Sequence, residues 1–94
     1  MSDIVSKAVE ILAEKIGNFD GSAKFVIEDE GAIMLDGDGI RAGDEDAECT
    51  LTASSDTFEG ILSGDVNPTT AFMTGKLKLD GDMGQAMRLG GALS

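Results

Sequence analysis

The apolar positions near the start of the chain recur with the period of a helix. From Ile4 to Ile16 they fall three or four positions apart, with lysines and glutamates between them. This spacing predicts an amphipathic helix. Ser2 or Asp3 can cap its start, and Gly17 can end it. We therefore expect one face of this helix to be buried against the rest of the protein.

Beyond the first helix the period falls to two, which is typical of strands that lie half buried on a sheet. The acidic turn 29–31 separates two such segments and predicts a hairpin. The segment 36–48 is rich in glycine and acidic residues, which predicts an exposed loop around a short edge strand. The predicted strands are 23–28, 32–35, the edge strand within 36–48, 48–53 and 76–80.

Two short helices are predicted between the last two strands. The first covers 54–63, where a serine or an aspartate can cap the start and Gly64 can end the helix. The second begins at Asn67 and Pro68, a pair that is typical of helix starts, because proline in the first turn needs no hydrogen-bond acceptor. This helix is expected to end near Gly75.

A final helix is predicted after the last strand. Asp82 can cap it, and Gln85, three positions later, completes a pattern similar to a capping box. Met83, Ala86 and Met87 share the face that we expect to be buried, and Gly90-Gly91 is expected to close the helix. Strands and helices do not alternate regularly, so the order favours an α+β domain with an antiparallel-rich sheet and helices on one face.

Composition and charge exclude several classes of function. The chain has 94 residues, enough for one domain, and a net charge of −11. That charge repels nucleic acid and opposes docking on anionic membranes. No apolar stretch approaches the ~20 residues that span a bilayer, and the first residues do not resemble a signal peptide. We therefore expect a cytoplasmic protein with no integral membrane association.

The side chains that usually carry catalysis are scarce. There is no histidine, tryptophan or tyrosine, and Cys49 is the one cysteine, which predicts a buried apolar role rather than a nucleophile or zinc ligand. The acidic segment 36–48 does not match a calcium-binding loop at its fifth, sixth and twelfth positions. We therefore predict no catalytic residues, metal or cofactor. A hydrolase that uses Cys49 or a carboxylate pair is the enzymatic alternative.

The stretch from Cys49 to Leu89 resembles the sterol carrier protein type 2 family. The resemblance lies in the segments CTLTASSDTF, SGDVNPTTAFMTGKLK and GDMGQAMRL, whereas the first half is similar mainly in pattern. It implies a stand-alone, bacterial-type lipid-binding domain over residues 1–94. It also implies about five strands in a mostly antiparallel sheet, with helices on one face that enclose an apolar tunnel. In this family the tunnel binds fatty acids, fatty acyl-CoA or sterol-like molecules without chemistry.

Apolar residues of the predicted strands and helices are suited to line such a tunnel, and methionine adapts easily to ligands of different shape. The alternative is that they form a solid core. The predicted lining residues are Phe25, Ile27, Leu51, Phe58, Leu62, Phe72, Met73, Leu77, Leu79, Met83 and Met87.

Two uses of a bound lipid are compatible with these residues. A free carrier would bind and transfer lipid, whereas an accessory module would present a lipid-like substrate to a partner enzyme. The tunnel mouth can be open or closed by weak self-association. The last three residues, 92–94, do not match the tripeptide that directs family members to peroxisomes.

Overall fold

Four helices and five strands follow the predicted order within residues 3–93, which are the residues that the structure, a computed structural model, describes. The helices are α1 Asp3–Lys15, α2 Ser55–Ser63, α3 Pro68–Met73 and α4 Met83–Leu93. The strands are β1 Ser22–Ile27, β2 Gly31–Asp36, β3 Gly39–Ala42, β4 Cys49–Ala53 and β5 Leu77–Gly81. The predicted α+β class is confirmed.

The strands form one sheet in the order β3-β2-β1-β4-β5. Three of the neighbouring pairs are antiparallel, whereas β1 and β4 are parallel. Strands β1, β2 and β3 are joined by two hairpins and lie side by side. Strand β4 then pairs with the free side of β1, and β5 pairs with β4. Phe25 at the centre of β1 therefore lies opposite Ile33 on β2 and Leu51 on β4.

One face of the sheet carries the core. Because side chains alternate along a strand, Ala23, Phe25 and Ile27 point to the face on which the helices pack, and all three are buried. Helix α1 lies over β2 and β3, α4 over β4, and α3 over β5. Met34 is also buried, but it points to the opposite face of the sheet, where it packs beside Gly43.

Short-range signals in the sequence predict the helix starts well. Ser54 accepts a hydrogen bond from the Thr57 amide at 3.2 Å at the start of α2. Asn67 accepts hydrogen bonds from the amides of Thr69 and Thr70 at 2.8 and 3.3 Å at the start of α3. These side chains satisfy amides that the helix itself leaves unpaired. For α1, Asp3 lies in the first turn, and Ser2 is outside the described residues.

The predictions for α4 are partly wrong. Asp82 does cap it, accepting a hydrogen bond from the Gln85 amide at 3.1 Å. The Gln85 side chain, however, does not complete a capping box. It accepts a hydrogen bond from the Ser22 amide at 3.0 Å and donates one to the Glu48 carboxylate. The helix also continues through Gly90-Gly91 to Leu93, whose side chain is buried.

Phe19 is a core residue that the sequence pattern missed, because it lies in a turn. Its side chain is buried, and its amide donates a hydrogen bond to the Asp36 carbonyl at 2.9 Å. The Arg88 guanidinium lies 5.7 Å from the centre of the Phe19 ring and 3.6 Å from the Asp20 carboxylate. Phe19 therefore helps to hold α4 against the segment that precedes β1.

Candidate functional site

A small apolar cavity lies between α3, α4 and the two strands beneath them. Its volume is about 220 Å³. None of its lining residues is charged, and Thr69 is the one polar side chain among them. We refer to it as the α3/α4 cavity. Its lining residues are Leu51, Pro68, Thr69, Phe72, Met73, Leu77, Leu79, Ala86, Met87 and Gly90.

The identity of the lining residues follows from the direction in which side chains repeat along the strands and helices around the cavity. Leu77 and Leu79 lie two positions apart on β5, so both point to the helix side of the sheet, where Leu51 on β4 lies opposite Leu79. Ala86 and Gly90 lie four positions apart on α4, so they share one side of that helix. The cavity therefore has a floor of leucines and walls made of two short helices.

A second and larger cavity lies between α1 and α2. Its volume is about 600 Å³, and its lining combines apolar and charged side chains. We refer to it as the α1/α2 cavity. Its lining residues are Asp3, Ile4, Ser6, Lys7, Ala8, Glu10, Ile11, Phe58, Glu59, Leu62 and Ser63.

Two phenylalanine rings connect the linings of the two cavities. Phe58 lines the α1/α2 cavity, and its ring centre lies 4.4 Å from that of Phe25. Phe25 in turn lies beside Leu51, which lines the α3/α4 cavity. Both rings are fully buried. The family resemblance implies a single tunnel, whereas the described residues form these two cavities with no lining residue in common, and the Phe25–Phe58 contact connects their linings.

The structure distributes the predicted lining residues over three locations. Six of them line the α3/α4 cavity: Leu51, Phe72, Met73, Leu77, Leu79 and Met87. Phe58 and Leu62 line the α1/α2 cavity. Phe25 and Ile27 are buried in the core and line neither cavity, and Met83 is exposed outside both.

Several lining residues were not predicted. Pro68 and Thr69 line the α3/α4 cavity from the first turn of α3, and Ala86 and Gly90 line it from α4. The helix-start pair at Asn67 and Pro68 was a usable signal, because it places Pro68 and Thr69 one helical turn before Phe72 and Met73. Small residues four positions apart on α4 were a second signal, since they leave space beside a helix.

The groups whose pKa values are shifted lie on different strands, Asp36 on β2, Arg41 on β3 and Cys49 on β4. Burial, and to a lesser extent the nearby Asp82 and Glu48, raises the pKa of the Cys49 thiol, so the thiol stays protonated near neutral pH. Arg41 holds the pKa of the Asp36 carboxyl below its usual value, in an exposed ion pair 3.0 Å long. Among residues 3–93 no cluster of three or more potential metal ligands occurs, and no helix is suited to span a membrane.

Comparison of the sequence with known proteins finds a matching family and related proteins. A sequence model described as the SCP-2 sterol transfer family matches residues 3–94. Sterol carrier protein 2 from Bos taurus is 46% identical over 46 residues, which are 49% of this chain and 8% of that protein. Hydroxysteroid dehydrogenase-like protein 2 from Xenopus tropicalis is 36% identical over 88% of this chain and 22% of that protein. The chain thus spans only a small part of the length of these relatives.

A solved structure with the same fold is sterol carrier protein 2 from Aedes aegypti in complex with the C16 fatty acid palmitate. It has a TM-score of 0.77 and 20% identity, and the match covers all of this chain and 97% of that one. At this identity the likeness shows the fold alone.

Proposed function

Because the chain belongs to the SCP-2 sterol transfer family, we propose that it is a non-catalytic lipid carrier whose α3/α4 cavity takes the acyl part of a fatty acid or fatty acyl-CoA, or a sterol-like molecule. The observation that carries this proposal is the uncharged, apolar lining of that cavity. An acyl chain makes no hydrogen bonds, so a charged lining group beside it would lose its water without gaining a partner. A lining without charged groups avoids this cost. The proposal includes a cytoplasmic location.

The size of the cavity sets the length of chain that it can hold. If a methylene group takes roughly the volume of a water molecule in the liquid, about 30 Å³, then 220 Å³ holds about seven methylenes. Burying seven methylenes contributes about 6 kcal/mol before the costs of association, which offset several kcal/mol of it. We therefore expect medium-chain acids to fit the cavity as it stands.

Longer chains need additional space. The relative from Aedes aegypti is described in complex with a C16 fatty acid, a chain longer than the α3/α4 cavity holds. Flexible side chains at the mouth, Met73 and Met87, can rearrange to lengthen the apolar path. Rotation of Phe58 toward the α1/α2 cavity is the other route.

Displacement of a fluorescent fatty acid by decanoate tests this proposal. We expect decanoate to bind the wild type saturably and to bind Thr69→Trp much more weakly. Thr69 lines the α3/α4 cavity and is exposed, so a bulky ring at this position is expected to fill the cavity mouth. Thr70→Trp is the matched control, since Thr70 is the next residue of α3 and does not line this cavity. Equal loss in both variants, or no binding to the wild type, would contradict the proposal.

A second function, that of a module presenting lipid to a partner enzyme, is favoured by one observation. The relative from Xenopus tropicalis is named as dehydrogenase-like, and the match covers 22% of it, so a similar domain there is part of a longer chain. A vesicle-to-vesicle transfer assay separates the two functions. A free carrier speeds lipid transfer on its own, whereas a presenting module binds lipid without speeding its transfer.

A further inference from the structure

The mouth of the α3/α4 cavity is surrounded by exposed apolar side chains. Four large side chains on α3 and α4 remain exposed: Phe72 at 41%, Met73 at 79%, Met83 at 46% and Met87 at 57%. Three of them line the cavity, and Met83 lies one helical turn before Met87. We call these four residues the mouth patch. A cluster of this kind marks a surface that contacts something apolar.

The two helices that carry the mouth patch have almost no charge. Helix α3 has no charged residue, and α4 has one, Arg88. Arg88 is directed to Phe19 and Asp20. The whole chain nevertheless has a net charge of −11, and 16 of its 18 acidic residues lie before α3. The helices that carry the apolar patch thus follow most of the acidic residues in the sequence and contain no acidic residue themselves.

These features favour a lipid surface over a protein as the occupant of the patch. A second copy of the chain would bring another −11 close to the first, which opposes association. A specific protein partner is usually held by rigid tryptophan, tyrosine or arginine side chains, and the patch has none of these. Methionine and phenylalanine can instead enter the fluid boundary between headgroups and acyl chains without matching a fixed shape.

We propose that the mouth patch docks on the surface of a bilayer whose headgroups are zwitterionic, so that lipid passes directly between the bilayer and the α3/α4 cavity. This inference rests on the proposed function, since it supplies the route by which a lipid reaches the cavity. An uncharged face fits a surface with no net charge. An anionic surface would repel the acidic remainder of the protein. Salt would weaken this repulsion, because the Debye length is only about 10 Å at 0.1 M ionic strength.

Vesicle flotation tests the docking. We expect the wild type to float with phosphatidylcholine vesicles, and an equal mixture with phosphatidylserine to lower the bound fraction at low salt, with recovery as salt is added. Replacing Met73, Met83 and Met87 together by serine is expected to weaken partitioning at least about tenfold, because three partly exposed apolar side chains no longer enter the bilayer. Ile11→Ser is the matched control, since Ile11 is 37% exposed but lines the α1/α2 cavity.

Three outcomes would overturn the docking. They are no flotation of the wild type, stronger binding to the phosphatidylserine mixture at low salt, and equal loss in the triple variant and in Ile11→Ser. A concentration-dependent dimer that the triple substitution abolishes would assign the patch to a second copy instead. Uptake of decanoate from solution, measured without vesicles, keeps the two proposals apart. Uptake without flotation rejects the docking alone, and flotation without uptake rejects the proposed function.

Discussion

The α1/α2 cavity and the α3/α4 cavity differ in a way that volume alone does not describe. The first is nearly three times larger, but Asp3, Lys7, Glu10 and Glu59 are among its lining residues. The second has a volume of about 220 Å³ and no charged lining residue. An acyl chain gains from leaving water only where its new neighbours are apolar and need no water themselves. The chemistry of the lining, rather than the amount of space, therefore points to the smaller cavity.

This difference comes from the helices. Helix α1 is amphipathic, and Asp3, Lys7 and Glu10 bring charge into the lining of the groove that it forms with α2. Helices α3 and α4 carry one charge between them, so the groove between them is apolar up to its mouth. The same property that makes α1 a stable surface helix makes its groove a poor place for a lipid tail.

The largest effect is expected from removing a ring that connects the linings of the two cavities. Phe58→Ala should lower the free energy of unfolding by about 3–5 kcal/mol, because Phe58 is fully buried against Phe25. It should also join the two cavities and shift binding toward longer fatty acids. Urea denaturation and competition between decanoate and palmitate measure the two effects. Phe72→Ala is the control for stability, and an equal loss there would contradict the role given to burial.

A smaller effect is expected from the side chain that holds α4 over β4. Gln85→Ala leaves the Ser22 amide and the Glu48 carboxylate without the hydrogen bonds that Gln85 makes. We expect a loss of about 1–3 kcal/mol in the free energy of unfolding. Chemical denaturation measures it, and Gln85→Glu, which keeps an acceptor for Ser22 but places a carboxylate beside Glu48, should also be destabilised. A loss below 0.5 kcal/mol, the scatter of ordinary surface substitutions, would show that these bonds do not position α4.

The caps of α2 and α3 offer a direct contrast between the two cavities. Ser54→Ala and Asn67→Ala each remove a helix cap, and each should cost about 1 kcal/mol of stability. Only Asn67→Ala should weaken decanoate binding, because α3 forms a wall of the α3/α4 cavity whereas α2 borders the other one. Calorimetric titration of both variants gives the comparison. Equal weakening in the two would show that lipid affinity follows overall stability instead.

The smallest effect is expected from the ion pair between Arg41 and Asp36. The pKa of Asp36 is lowered below 3.8 in the folded protein, chiefly by its hydrogen bonds with Arg41. The pair therefore stabilises the fold above that value and loses its effect as the pH falls through the folded pKa. Since both side chains are partly exposed, the change should be small. Asp36→Asn should narrow the gap in urea midpoint between neutral and acidic pH, and an unchanged gap would contradict this.

Local signals in the sequence predicted the elements, but not how they rotate against one another. Ser54 and Asn67 cap the helices as expected, because a cap depends on neighbouring residues alone. Of the three residues expected on the buried face of α4, Ala86 is buried, whereas Met83 and Met87 are exposed. The buried face of α4 instead includes Gln85, Leu89 and Leu93. The hydrogen bonds of Gln85 with Ser22 and Glu48, which lie far away in the sequence, fix this orientation of the helix.

Non-local contacts also account for the remaining differences. The parallel pairing of β1 with β4 joins strands far apart in the chain, and alternation within one strand contains no information about its neighbour. The contact between Phe25 and Phe58, which connects the linings of the two cavities, also joins residues far apart in the chain. Their apolar character was visible in the sequence, but their meeting across the core was not. The family resemblance, by contrast, correctly implied the five-stranded sheet, since it carries information about the whole chain.

The most direct test of the account is a methyl NMR titration of the protein, labelled at its methionine and isoleucine methyl groups, with decanoate. Met73 and Met87 line the α3/α4 cavity, Ile4 and Ile11 line the α1/α2 cavity, and Met34 lies on the opposite face of the sheet. We expect saturable shifts at Met73 and Met87 while Ile4, Ile11 and Met34 stay unchanged. Shifts at Ile4 and Ile11 with none at Met73 and Met87 would contradict the assignment of the lipid to the smaller cavity.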